Sequence, residues 1–499
     1  MYSNFLNIQK SKNFKQMKKL IYLIVLLNIL SLPIVKAEIA LPAIVSSNMV
    51  LQRNTVVNVW GWANAQEKIT IKTSWLKGAI STVAGEDGTW SVELKTTNSK
   101  APQWIQLKSK KSDINLENIL FGEVWLCSGQ SNMEQPVGGF TGQPTFGSAQ
   151  AIATANNPNL RLFAVEKELS TVPLKDVKRY RAWQDATPES TRKFSAVAYF
   201  YGQQLQEILN VPVGLIFTSW GGSPVQAWMS KEQINAVQEE KLGEIKLKTP
   251  RSHQTPTVLF NAMIKPLIPY TIKGAIWYQG ESNRLEPETY KILFPAMVKE
   301  WRTRWGVGDF PFYYVQIAPY IYGGNKKYQT SENSAFIREV QLQCLDIIPN
   351  SGMAVTMDIG DDYCIHPPKK KEVADRLLYN ALSKTYGITA VDGASPVYLS
   401  HEPKDGGLLL KFKNAETGLF AYEKLVGFEI AGEDKVFYPA NARVVSRKDV
   451  LVKSDKVTNP VAVRYAWQNW IVGTLYDINL LPAPSFRTDD WNNAVRAEE

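Results

Sequence analysis

Between residues 121 and 390 short, almost continuously apolar runs alternate with amphipathic segments, a texture that few folds other than a covered parallel sheet accommodate. The apolar runs cover 124–127, 213–218, 275–278, 312–317 and 353–357. Between them the spacing is helical: Val197, Tyr201, Leu205 and Ile208 share one face, as do Val373, Leu377 and Leu378. The pattern predicts an α/β domain over 121–390, with a five-stranded parallel sheet between two helical layers. Residues 38–120 and 391–499 have a different texture, with short alternating strands separated by turns such as Gly85-Glu86-Asp87-Gly88. The expected organisation is therefore an N-terminal β-sandwich-like domain, the α/β domain and a C-terminal β-rich region.

The first 37 residues are read apart from these. Lys18-Lys19 precede an apolar stretch from Leu20 to about Leu32, and Val35-Lys36-Ala37 supplies a small-residue cleavage site. This is the pattern of an export signal, with Met17 as the expected true start and a periplasmic or secreted protein as the result. The apolar stretch is shorter than the roughly 20 residues of a membrane span, and no other segment replaces it. The segment also accounts for the basic balance of the chain. Its six lysines and no acids take the formal charge of +9 down by six, to +3, once removed. No basic track for nucleic acid remains. Three cysteines, Cys127, Cys344 and Cys364, make no disulfide framework and show no metal-ligand spacing.

In open parallel sheets chemistry gathers on loops at the carboxyl ends of strands, so the residues after each apolar run are the informative ones. The first run is followed by Ser128-Gly129-Gln130-Ser131-Asn132-Met133, a turn that presents the Ser131 hydroxyl. The second is followed by Ser219-Trp220-Gly221-Gly222-Ser223, whose glycines allow a close backbone approach and an N–H donor to an oxyanion. Gln279-Gly280-Glu281-Ser282-Asn283 follows the third run, with the Gln279 amide as a second such donor. After the fifth come Asp358 to Pro367, including Asp361, Asp362, Cys364 and His366. Of the three histidines in the chain, His366 alone follows a core strand; His253 and His401 are read as structural and surface residues. Cys127 lies within an apolar strand and is read as inert packing. Trp125, Trp220 and Trp277, beside the motifs, are read first as core and second as a sugar platform.

Together these stretches resemble the sialate O-acetylesterase family, a carbohydrate-esterase branch of the SGNH hydrolases. Gly122 to Met133, Ser219-Trp220-Gly221-Gly222, Trp277 to Asn283 and Ile365-His366-Pro367 carry the resemblance. Met49-Val50-Leu51-Gln52, Trp60-Gly61-Trp62 and Leu481 to Thr488 extend it to both flanks. The resemblance implies an SGNH-like three-layer domain and hydrolysis of O-acetyl groups on sialic acids. It implies Ser131 as nucleophile, His366 as general base, and Gly221, Gly222 and Gln279 as oxyanion donors. Asn132, Glu281, Asn283 and Arg284 are expected on the substrate side of these loops, Glu281 as a buried carboxylate near Ser131. A sialate carboxylate would call for a cation, with Arg284 and Arg338 as candidates. No cofactor and no metal are implied, and the expected partner is an O-acetylated sugar or sialoglycan. Where the family carries an Asp close before its histidine, this chain has Tyr363 and Cys364. That leaves Asp361, Asp362 or a backbone carbonyl near Cys364 to orient His366. An esterase for acetylated xylan or another polysaccharide, and a glycan-binding protein without catalysis, are the competing readings.

Overall fold

The computed structural model describes residues 38–242, 252–322, 334–492 and 494–497. The export signal expected over 1–37 lies outside the described residues. Seven strands form the central path of the main sheet: β1 (Asp113–Gly129), β2 (Asn157–Val165), β3 (Tyr180–Ala186), β4 (Val213–Ser219), β5 (Gly274–Tyr278), β6 (Phe312–Val315) and β7 (Ser351–Ala354). Their order is β7-β6-β5-β1-β4-β2-β3. The pairs β7/β6, β6/β5, β5/β1, β1/β4 and β4/β2 are parallel, and β3 runs antiparallel to β2. The sheet thus has six parallel strands rather than the five expected, with an antiparallel strand added at one edge. The sixth, β2, is hidden in the sequence by Arg161, which breaks its apolar run. That guanidinium is buried because it donates to the carbonyls of Pro158 and Asn48 and pairs with Asp185.

Strand β1 crosses the expected 120/121 boundary without interruption. Its first half pairs antiparallel with Gln103–Lys108 of the N-terminal β region, and its second half is the centre of the parallel sheet. The helices that matter for the sheet faces and the site are α1 (Ser131–Glu134), α2 (Ala196–Leu209), α3 (Pro287–Trp305), α4 (Ala335–Ile347) and α5 (Lys370–Lys384). Successive strand residues point to opposite faces, so a sheet covered twice must be apolar at every position. Trp125, Cys127, Leu215, Ile276 and Tyr278 pack with Tyr201 and Leu205 of α2 and with Val373 and Leu377 of α5. Val124, Leu126, Trp277 and Tyr314 pack on the other face with Phe294 and Trp301 of α3 and Val340 of α4. Ile208, placed on the buried α2 stripe by spacing, is 48% exposed, because the last turn emerges before a left-handed cap at Asn210.

The C-terminal β strands are held to the sheet through α4. Arg338, fully buried, donates to Ser485 Oγ, Ser334 Oγ and the carbonyls of Ala466 and Gln468. Phe486 beside it packs on Tyr465 and Phe428. The Leu481 to Thr488 stretch is therefore an anchor, which explains its prominence in the sequence. Among the described residues no helix is long and apolar enough to cross a membrane.

Candidate active site

Gly129, the last residue of β1, is opposite Ser219 of β4 on one side and Tyr278 of β5 on the other. Three strands therefore end level at the point where the strand order reverses, the crevice in which such sheets bind ligands. Gly129 has φ +145°, and a Cβ there would lie 2.2 Å from the Tyr278 carbonyl oxygen. Only glycine fits this bend, which turns the chain directly into α1 with Ser131 as its first residue. Gln130 locks the bend: its N–H donates to the Tyr278 carbonyl at 2.9 Å, and its Oε1 accepts from the N–H of Ser282 at 3.2 Å. Gly221, from the loop after β4, comes so close that a Cβ there would stand 3.1 Å from Ser131 Cβ.

His366 reaches the same place from the loop after β7. Asn132, next to Ser131, donates to the carbonyl of Ile365, next to His366, at 3.0 Å. The imidazole Nδ1 lies 2.7 Å from Oε1 of Gln143, and its ring makes an edge contact with Phe140. Gln143 sits in a turn closed by reciprocal backbone bonds with Phe140, and Gln135, just after α1, donates to the carbonyls of Gln143 and Pro144. The structure thus gives His366 Nδ1 a neutral amide from a different loop as its hydrogen-bond partner, where the sequence left Asp361, Asp362 or a backbone carbonyl near Cys364. Asp361 instead accepts from the N–H groups of Tyr363 and Cys364, and so shapes the turn before the histidine. Cys364 donates its thiol to the carbonyl of His366. Burial, and after it the charge of Lys370, pushes the His366 imidazole down to about 4, so it is neutral through the physiological range.

Two expected oxyanion donors are committed elsewhere. The Gly221 N–H donates to Glu134 Oε2 at 2.7 Å, and Glu134 is itself paired with Lys167 at 2.6 Å. The Gln279 amide donates to the Ser223 carbonyl and to Asn283 Oδ1, and the side chain is fully buried. A buried amide keeps the bonds that replace its lost hydration, and these hold the β4 and β5 loops together. Gly222 stands beside them with φ +76°.

Asn132, Glu281 and Asn283 also lie behind the site rather than in its mouth. Asn283 accepts from the Val225 N–H and donates to Gln226. Glu281 Oε1 accepts from Asn132 Nδ2 at 2.6 Å, and burial holds its carboxyl above the usual range. Arg338 is consumed by the C-terminal anchor and cannot serve a substrate. Arg284 lies with its guanidinium over the Tyr322 ring at 4.5 Å, its Nε without a hydrogen-bond partner among the described residues. Cys127 is fully buried and burial pushes its thiol up, as expected of packing. Trp125 and Trp277 are core, whereas Trp220 is half-buried and stacks on His253 at 5.2 Å.

Sequence reasoning misses Gln143 and Lys370. The first is a neutral residue in a Gly- and Pro-rich loop, with no motif to mark it. The second sits inside Lys369-Lys370-Lys371, a run that ordinarily means a solvated face. Its one signal is position: a cation opening α5 opposes the helix dipole.

Residues 121–374 match the carbohydrate esterase family described as sialic acid-specific acetylesterase. The chain belongs to this family. Human sialate O-acetylesterase is 29% identical over 490 residues, covering 89% of this chain and 91% of the human protein. The rat sialate O-acetylesterase is 27% identical over 515 residues, with 89% and 93% covered. The crystal structure of a carbohydrate acetylesterase from Xanthomonas citri matches with a TM-score of 0.82 at 34% identity, covering 91% of this chain and 100% of that one. The family resemblance carried by the strand-end motifs is thus confirmed, and the protein is a carbohydrate esterase that removes O-acetyl groups. Among the described residues of this esterase, no three His, Cys, Asp or Glu side chains gather as a metal set.

Proposed function

We propose that this esterase acts on O-acetylated sialic acids, after export from the cytoplasm, through an acetyl-enzyme on Ser131. The observation that supports the mechanism is the hydrogen bond from Asn132, next to Ser131, to the carbonyl of Ile365, next to His366, together with a half-buried imidazole whose Nδ1 is held by Gln143. Because Gln143 presents its oxygen, Nδ1 carries the hydrogen and Nε2 is left as the base. His366 Nε2 takes the Ser131 proton as Oγ attacks the acetyl carbonyl carbon. The oxyanion is met by the N–H groups of Ser131 and Gly222, each worth roughly 10²–10³ in rate. Collapse breaks the bond to the sugar oxygen, which takes the proton from the imidazolium. Water, deprotonated by His366, then attacks the acetyl-serine, releasing acetate and restoring the hydroxyl.

Arg284 supports the sialate reading over a neutral polysaccharide. It is the cation that follows the β5 loop directly, it lies over the Tyr322 ring, and its buried Nε has no hydrogen-bond partner among the described residues; a guanidinium is the group suited to a carboxylate. Acetate release is to be compared on 9-O-acetylated N-acetylneuraminic acid and on acetylated xylan. The sialate is expected to be preferred, and Arg284→Ala is expected to raise its KM by about 10–100-fold, the worth of one charge-assisted bond. Xylan should be affected far less. A preference for xylan, or an equal effect of Arg284→Ala on both substrates, would remove the sialate assignment and leave the esterase mechanism.

A further inference from the structure

Lys370 is fully buried, and its Nζ donates to Asn132 Oδ1 at 2.6 Å. The amide nitrogen of Asn132 donates in turn to Glu281 Oε1 and to the carbonyl of Ile365. One side chain therefore joins three strand-end loops: that of Ser131, that after β5, and that of His366. Facing the ammonium are Glu281 across Asn132, Cys364 and His366 from its own loop, and the Tyr278 ring at 5.8 Å; Tyr322 acts on Glu281 from beyond. Burying a lysine is costly, and placing it first in a helix is costlier still. Apolar packing would fill the same space without either penalty.

We propose that Lys370 is a positioning residue for the esterase reaction, acting through Asn132 to hold the loop of Ser131 against the loop of His366. This rests on the Ser131–His366 mechanism above. Lys370 touches none of the reacting atoms; it sets the distance between groups that do. Displacing reacting groups by about 1 Å costs on the order of 10² in rate, whereas substrate binding in the mouth of the site is not disturbed. The ammonium also leaves an electrostatic mark. After burial, its charge is the second cause that keeps His366 unprotonated, so removing it lets the imidazole bind a proton at higher pH.

The test is Lys370→Met, with kcat and KM measured from pH 3.5 to 8 on folded protein. The expected result is a fall in kcat of about 10–100-fold with KM changed less than about 3-fold. The acid limb of kcat/KM should move to higher pH. Wild-type kcat with an unmoved limb, whatever the change in Tm, would overturn the proposal. Should Lys370→Met not fold because Glu281 is left as a buried unpaired charge, Lys370→Met with Glu281→Gln removes both charges. The same loss of kcat in that double variant supports positioning, and wild-type kcat overturns it. Ser131→Ala run in parallel separates the two levels. A dead Ser131→Ala beside a fully active Lys370→Met refutes the role of Lys370 alone. An active Ser131→Ala refutes the mechanism, and the proposal falls with it.

Discussion

Replacing Ser131 by alanine is expected to lower kcat by about 10⁴-fold while leaving KM within a few-fold, because the nucleophile bonds only in the transition state. Losing a serine from a complete triad costs about 10⁶. The smaller figure follows from Gln143: a neutral amide stabilises the imidazolium less than a carboxylate, so the starting rate is lower. What survives is catalysis by the oxyanion donors and by substrate binding. The measurement is acetate release at saturating substrate, with a thermal melt to show that the turn at Gly129 is intact. A loss under tenfold would place the nucleophile elsewhere.

The second large effect belongs to Gln143. Gln143→Leu removes the acceptor at 2.7 Å from Nδ1, leaving the tautomer and rotation of His366 unfixed, and is expected to cost about 10²–10³ in kcat. Gln143→Glu is the informative partner. A carboxylate at the same place favours the imidazolium and raises the His366 pKa from about 4. The neutral imidazole is the active form, so the acid limb of kcat/KM must then move to higher pH. At pH 8, where the imidazole is neutral in both proteins, Gln143→Glu should match or exceed the wild type. An unchanged kcat in Gln143→Leu would show that the contact does not orient the base.

What is legible in the sequence divides from what is not along physical lines. The placement of Ser131, the paired glycines and His366 on strand-end loops is legible because each of these loops follows an apolar run that marks the strand. The helix stripes of α2 and α5 are legible for the same reason, down to the last turn, where Ile208 leaves the core. Strand β2 escapes because Arg161 interrupts its apolar run, and a buried arginine is tolerated only through partners that no local pattern reveals. The layer of side chains behind the site escapes for a related cause. Gln279, Asn132 and Asn283 stand in the motifs, and their position there points to substrate or oxyanion. Their amides instead bond one another's loops, because a polar side chain that folding has buried must be satisfied inside. Gln143 and Lys370 act across loops separated by hundreds of residues or hidden in a charged run, and only the folded arrangement brings them together.

The central test of the Ser131–His366 pair is the rate at which a fluorophosphonate modifies Ser131, followed by peptide mass from pH 3.5 to 8, in wild type and in His366→Ala. The expected adduct is on Ser131 and forms at a nearly constant rate down to about pH 5, slowing only as His366 takes up a proton near its depressed pKa of about 4. That reactivity should be lost in His366→Ala. An adduct on another residue, or labelling of Ser131 indifferent to the removal of His366, would contradict the mechanism.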